Sequence, residues 1–277
     1  MRRMFATPSL AARIDRAEAR MCAQFSELAG RHRPTSGVTV MPLAGGLAIY
    51  AGPGAPMNKV IGLGLGDALE EPALAEVEAA WAERDEPVRV ELSTLDDGAV
   101  ARLLTSRGYR LLGFENVLGR ALGASDVGVP PVSGLAIHHL APEDVDLWME
   151  VTVDGFAHAD EGPLPTENPS PEVLEGIFRD MSGVSGFRRY LVTVNAVAVA
   201  AASMRIDGAL AQMTGAATLA MFRRRGLQTA LTLHRLADAR EAGCDLAVVT
   251  TAPGSKSQEN AQRRGFELLY ARAILVR

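Results

Sequence analysis

The chain has 277 residues, 48% of them hydrophobic and 22% charged, with 27 Gly and 15 Pro. This excludes a disordered, collagenous or coiled-coil chain, and at roughly 150 residues per domain the length suits two domains. Lys and Arg number 28 against 33 Asp and Glu, a net charge of −5, so no global attraction draws the protein to a phosphate backbone or an anionic leaflet, and neither nucleic acid nor membrane is an expected partner.

Cys22 and Cys244 stand apart with no CxxC or Cys/His cluster. A disulfide framework and a metal site are therefore not expected, and a reducing, cytoplasmic setting fits. Arg13 and Asp15 arrive before any apolar run that could serve as a secretory core. The longest largely apolar stretch, Ala196 to Met204, spans nine residues, far short of the ~20 that cross a bilayer.

Periodicity and turn residues predict, in chain order, a helix from about Pro8 to Gly30, then strands near Val38–Met41, Leu47–Ala51 and Lys59–Gly64. A helix over Glu71–Arg84, a strand at Val88–Leu92, a short helix and a strand entered through Arg107-Gly108-Tyr109 complete the first half. The Gly- and Pro-rich run after residue 121 reads as a linker. The expected partition is a domain over 1–122, a linker over 123–134 and a second domain over 135–277. In the second half the pattern predicts a strand at Leu135–Leu140, helices over Glu143–Phe156 and Pro171–Met181, and strands at Tyr190–Asn195, Val197–Ile206 and Ala209–Leu219. A helix over Leu227–Ala242, a strand at Leu246–Thr251, a helix over Ser257–Arg264 and a strand at Glu267–Val276 follow.

The halves end alike. Arg107-Gly108-Tyr109-Arg110-Leu111-Leu112 matches Arg264-Gly265-Phe266-Glu267-Leu268-Leu269 without a gap, 157 residues on, and the β-branched runs at Val88–Leu92 and Leu246–Thr250 keep the same offset. The chain is an internal repeat of α/β units.

Chemistry concentrates at Thr218 to Leu231, where a strand runs through Arg223, Arg224, Arg225 and Gly226 into a helix. A helix start carries unpaired N–H groups and partial positive charge, and so suits a phosphate or pyrophosphate. Gly226 removes the side chain where an anion comes closest, and the three guanidinium groups stay positive at neutral pH. At the same offset the first half has Gly66-Asp67-Ala68-Leu69-Glu70-Glu71; its three carboxylates would meet a pyrophosphate with like charge.

Arg223-Arg224-Arg225-Gly226-Leu227-Gln228 resembles the RxxGxG/A motif of the GNAT superfamily of N-acetyltransferases, with Gln228 where that family has Gly or Ala. Asn260 ahead of Gly265-Phe266 resembles its second element. The resemblance implies an α/β (α+β) fold of two tandem GNAT-like domains, each a mixed, mostly antiparallel sheet flanked by helices, with the cofactor in the C-terminal copy and a degenerate N-terminal one. It implies acetyl-CoA or another acyl-CoA as cofactor, with Arg223 to Thr229 at the pyrophosphate. Thr218 and Leu219 would lie along the pantetheine, and Ser257, Asn260 and Arg263 on the other side. The implied activity is transfer of the acyl group, most simply acetyl, to a small-molecule amine. The implied protein needs no metal and is compatible with a homodimer.

The family's usual acid and base are missing: Ala261 stands where many relatives carry Tyr, and Met213 where some carry Glu. Tyr270 is the candidate acid, and His158, in a loop with Asp160 and Glu161, the candidate base. The alternatives are a non-catalytic acyl-CoA-binding regulatory module, which needs neither group, and an RNA-modifying acetyltransferase, against which the acidic total argues.

Overall fold

The computed structural model describes residues 4–96, 98–124, 126, 134–141, 145–158 and 170–277. They form two compact units, one of the chain up to Leu118 with Thr250–Pro253 and Leu268–Arg277, the other of Gly119–Val249 with Gly254–Glu267.

The first unit opens with α1 (Pro8–His32), in which the Thr7 hydroxyl accepts from the Leu10 N–H, Pro8 occupies the first turn, and Arg31 and His32 face the negative end. It continues through β1 (Thr39–Leu43), β2 (Gly46–Tyr50), β3 (Lys59–Ile61), α2 (Glu71–Ala82), β4 (Arg89–Ser93), α3 (Ala99–Ser106) and β5 (Arg110–Ala121). Strands β1, β2 and β3 pair antiparallel and β3 pairs parallel with β4. The core gathers on Trp81 of α2, which meets Tyr50 edge-on at 5.9 Å and packs among Val60, Val90, Leu104 and Leu275.

Leu275 comes from the end of the chain. The last strand, β11 (Glu267–Val276), pairs antiparallel with β4 from Val276↔Arg89 to Arg272↔Ser93, so Leu268–Arg277 belongs to the first unit, where the sequence partition grouped it with 135–267. A cluster of buried charges accompanies it. Arg272, with no exposed surface, donates to Asp15 (2.6 Å) and Glu18 (2.7 Å) of α1 and to Glu115 (3.1 Å) of β5. Lys59 joins Glu18 (3.0 Å) to Glu91 (3.1 Å). Glu115 and Arg272 lie 157 residues apart, at the same position of the repeat.

Four carboxylates thus face two cations, a surplus of negative charge. Burial, then Glu18, pushes Glu115 up to about 7. Burial also acts to raise Glu18, yet Arg272 and Lys59 hold it down to about 2.

The second unit contains β6 (Leu135–Leu140), α4 (Asp146–Ala157), α5 (Pro171–Ser182), β7 (Phe187–Val194), β8 (Val197–Asp207), β9 (Leu210–Thr218), α6 (Leu227–Glu241), β10 (Leu246–Thr251) and α7 (Lys256–Arg263). Its strands lie in the order β10-β9-β8-β7-β6, antiparallel except for β9 with β10. Strand β7 begins three residues earlier than its apolar run predicts, because Phe187 pairs with Arg205.

Successive strand residues alternate faces. Leu191 and Ala201 meet α4 and α5 in a core around Trp148 and Phe178, while Tyr190, on the other face, packs edge-on against His234 of α6 at 5.8 Å. Among the described residues no helix is long and apolar enough to cross a membrane.

Candidate cofactor site

Strands β9 and β10 stay in parallel register only from Leu210↔Leu246 to Gln212↔Val248. Beyond Gln212, β9 runs on to Thr218 with one edge unpaired by β10. The Leu219 N–H donates to Val199 O at 3.0 Å. Backbone groups alternate edges along a strand, so the N–H and C=O of Thr218 point to the opposite edge, the one β10 has left. The two residues expected along the pantetheine therefore differ: Leu219 has its N–H taken by β8, while that of the buried Thr218 points away from β8, on the side where its carbonyl accepts from Arg223.

A bulge turns β9 just before this edge. Ala202 pairs with Ala216 and Ser203 with Thr214, leaving Gly215, at φ +23°, without a partner on β8. The Ala202 carbonyl accepts from Trp148 Nε1 at 3.0 Å. The Ser203 and Thr214 carbonyls accept from Arg235 Nη1 at 2.8 and 3.2 Å. Arg235 is 4% exposed, and among the described residues its hydrogen-bond partners are all backbone carbonyls. Burial brings it down to about 10, against the pull of Tyr190. Sequence reading missed both residues; the available signal was an arginine on the apolar side of a helix.

The Arg-Gly turn then sets the start of α6. Arg224 adopts φ +61° and Gly226 φ +78°. A Cβ placed on Gly226 would meet nothing within 4 Å, and no side chain caps α6, so the first N–H groups of the helix open on an uncrowded surface. Arg224 and Arg225 are exposed, Arg225 lying 5.0 Å from the Phe222 ring centre.

Two neighbours look inward instead. Arg223 donates from Nε to Thr218 O (3.2 Å) and from Nη2 to His158 O (2.5 Å), and Gln228 Nε2 donates to Thr218 Oγ1 at 2.8 Å. Arg223 and Gln228 thus brace the turn against β9. Leu227 is buried and Thr229 half-buried in the first turn of α6.

Arg223 also fixes the end of α4, where His158 sits exposed with Nδ1 3.1 Å from Asp154 Oδ1. A cavity of about 1020 Å³ separates α4 from α5; His158, Asp154, Glu150 and Glu175 are among its polar lining, with Met149 and Val153 as apolar wall. Asp160 and Glu161 lie outside the described residues.

On α7, capped by Ser255 at Gln258 N (3.2 Å), Ser257 and Asn260 are exposed and Arg263 pairs with Glu259. Tyr270 is placed differently from its expected role. It lies in β11 within the first unit, 4% exposed, its hydroxyl donating to Asp15 at 2.6 Å. Burial and then Asp15 raise it well above the ordinary tyrosine range. A hydroxyl so engaged holds β11 to α1 inside the first unit, whereas an acid would need to serve the Arg-Gly turn's unit.

No protein-family model matches the chain, and comparison with curated proteins finds no match. Solved structures do match. A GCN5-related N-acetyltransferase from Kribbella flavida superposes with a TM-score of 0.64 at 22% identity, over 96% of this chain and 95% of that one. A tandem GNAT protein from the clavulanic acid biosynthesis pathway gives 0.59 at 15% identity, over 83% and 73%. A GCN5-related N-acetyltransferase from Sphaerobacter thermophilus gives 0.54 at 12% identity, over 74% and 66%. The protein has the tandem GNAT fold that its sequence resemblance implied.

Proposed function

We propose that the second unit binds an acyl-CoA and transfers its acyl group to a small cationic amine. The observation that carries this reading is the start of α6: uncapped, with open space at Gly226 and two exposed arginines beside it. The residues fit a CoA-type cofactor. The N–H groups of Leu227, Gln228 and Thr229 with Arg224 and Arg225 would hold the pyrophosphate, and the Thr218 edge of β9 would take the strand-like pantetheine arm. Ser257, Asn260 and Arg263 remain candidates for its far side. When bound, the cofactor supplies an activated acyl carbon as a thioester.

The rest falls to the chain's own groups. The amine must arrive as a cation and react neutral, since alkylamines have pKa values near ~10.4. Glu175 is paired with Arg179, and Arg189 also lines the α4–α5 cavity, but Asp146, Glu150 and Asp154 leave the lining with net negative charge, which favours a cationic guest. His158, held at Nδ1 by Asp154 and at its carbonyl by Arg223, leaves Nε2 to receive the proton.

Thiol release from acetyl-CoA, followed over a panel of di- and polyamines, amino sugars and amino acids, tests the proposal. Release dependent on a polycationic amine and strongly reduced by His158→Gln is expected. CoA binding with no release from any amine would instead favour the non-catalytic acyl-CoA-binding module, the reading that Met213 and Ala261 support.

A further inference from the structure

The carbonyls at the β9 bulge are held from both faces of the sheet. Trp148 of α4 donates to Ala202 O, and Arg235 of α6 to Ser203 O and Thr214 O. On the strands themselves, Ser203 Oγ and Thr214 Oγ1 lie 3.0 Å apart, and a Cβ on Gly215 would come within 3.2 Å of Ser203 Oγ. A bulge interrupts the ladder, and buried carbonyls it leaves without partners are costly.

The remedy chosen here is unusual. A buried guanidinium is ordinarily stabilised by a carboxylate, and the nearby Asp238 is engaged instead by Arg188 (2.5 Å) and the Tyr190 hydroxyl. Packing alone would be served by an apolar side chain; two converging carbonyls are served by the fork of an arginine.

We infer that Arg235 is a positioning residue: by clamping the Ser203 and Thr214 carbonyls it fixes the bulge at Gly215, and through it the path of β9 as that strand leaves β10. Register with β10 ends at Gln212, the clamp acts at Thr214, and the unpaired edge follows at Thr218. The inference rests on the acyl-CoA reading, because it assigns Arg235 the placement of the edge that would receive the pantetheine arm. The helix start that would receive the pyrophosphate is built from other residues, so the two parts of the site separate experimentally.

Calorimetry on the full chain with 3′-phosphoadenosine 5′-diphosphate, which carries the pyrophosphate but no pantetheine, and with acetyl-CoA makes the separation. Wild-type protein that binds neither probe would sink the acyl-CoA reading itself. Given wild-type binding of both, Arg235→Met is expected to weaken acetyl-CoA about tenfold while the nucleotide stays within about twofold, and Arg235→Lys, which keeps the charge but loses the fork, is expected to fall between. Unchanged acetyl-CoA affinity, or an equal loss for both probes, overturns the positioning role. Should Arg235→Met fail to fold, Arg235→Lys decides alone by the same criteria. Trp148→Phe, which removes only the N–H at Ala202, is expected to show the same selective loss in weaker form.

Discussion

The two units solve the same corner of one folding plan in opposite ways. Both have a parallel strand pair that leads through a glycine-bearing turn into a helix, β3 to α2 in the first and β9 to α6 in the second. In the first unit the turn is packed by side chains: a Cβ on Gly64 would fall 2.2 Å from the Asp96 carboxylate, and one on Gly66, nearer the helix, 3.7 Å from the Arg16 guanidinium. In the second a Cβ on Gly226 would meet nothing. The treatment of buried charge differs too: the first unit gathers Asp15, Glu18, Glu91 and a half-buried Glu115 about Lys59 and Arg272, while in the second Arg235 is held by backbone carbonyls. A duplicated fold can thus keep its topology while one copy turns its interior polarity to cohesion and the other leaves its helix start open to a ligand.

The sharpest way to break this contrast is to remove the two buried arginines in turn. Arg272→Met strands Asp15 and Glu115 without their cation, leaves Glu18 to Lys59 alone, and is expected to cost about 3–5 kcal/mol, seen as a large fall in thermal midpoint. Arg235→Met leaves only neutral carbonyls unpaired, so its fall should be clearly smaller. Equal effects would mean that the charge cluster is not what holds the first unit together.

Next in size is a pH effect confined to the first unit's cluster. Glu115, raised to about 7 from an ordinary 4.5, binds its proton more tightly folded than unfolded. Its contribution is full below 4.5 and fades as pH rises through about 7. Glu18, lowered to about 2, contributes above 4.5 and loses that contribution as pH falls toward 2. Melting followed against pH should therefore peak between these limits, and Glu115→Gln should flatten the decline on the alkaline side by a few degrees. A decline of the same depth in the variant would assign it to other groups.

The smallest expected effects sharpen the second unit's side of the contrast. Arg224→Ala and Arg225→Ala should each weaken CoA about three- to fivefold and reduce its salt dependence, as exposed charges near a phosphate do. Arg223→Ala should act differently, loosening the turn from Thr218 and His158 and so lowering turnover as well as affinity.

Much of this was legible in the sequence. The order of elements, the repeat and the Arg-Gly turn follow from local periodicity and turn chemistry, which a sequence carries directly. The home of β11 did not follow, because alternation tells which face a strand buries and not which neighbour it joins. The signal was nonetheless present as Arg272, a charge inside Leu268-Leu269-Tyr270-Ala271-Arg272-Ala273-Ile274-Leu275, opposite in sign to Glu115 at the equivalent position. Tyr270 was misread for the same reason, its partner Asp15 lying 255 residues away. The bulge at Gly215 and its clamp by Arg235 depend on register between β8 and β9, which no local pattern encodes.

The central claim is that the open start of α6 receives the pyrophosphate of a CoA, and titration calorimetry of CoA into wild-type protein and Gly226→Glu tests it most directly. The account predicts saturable one-to-one binding to the wild type and a loss of roughly 100-fold in the variant, whose carboxylate would occupy the helix start, with a melting midpoint lowered only by the few degrees that a side chain at φ +78° costs. Equal affinity in the two proteins, or no binding to the wild type, would contradict it.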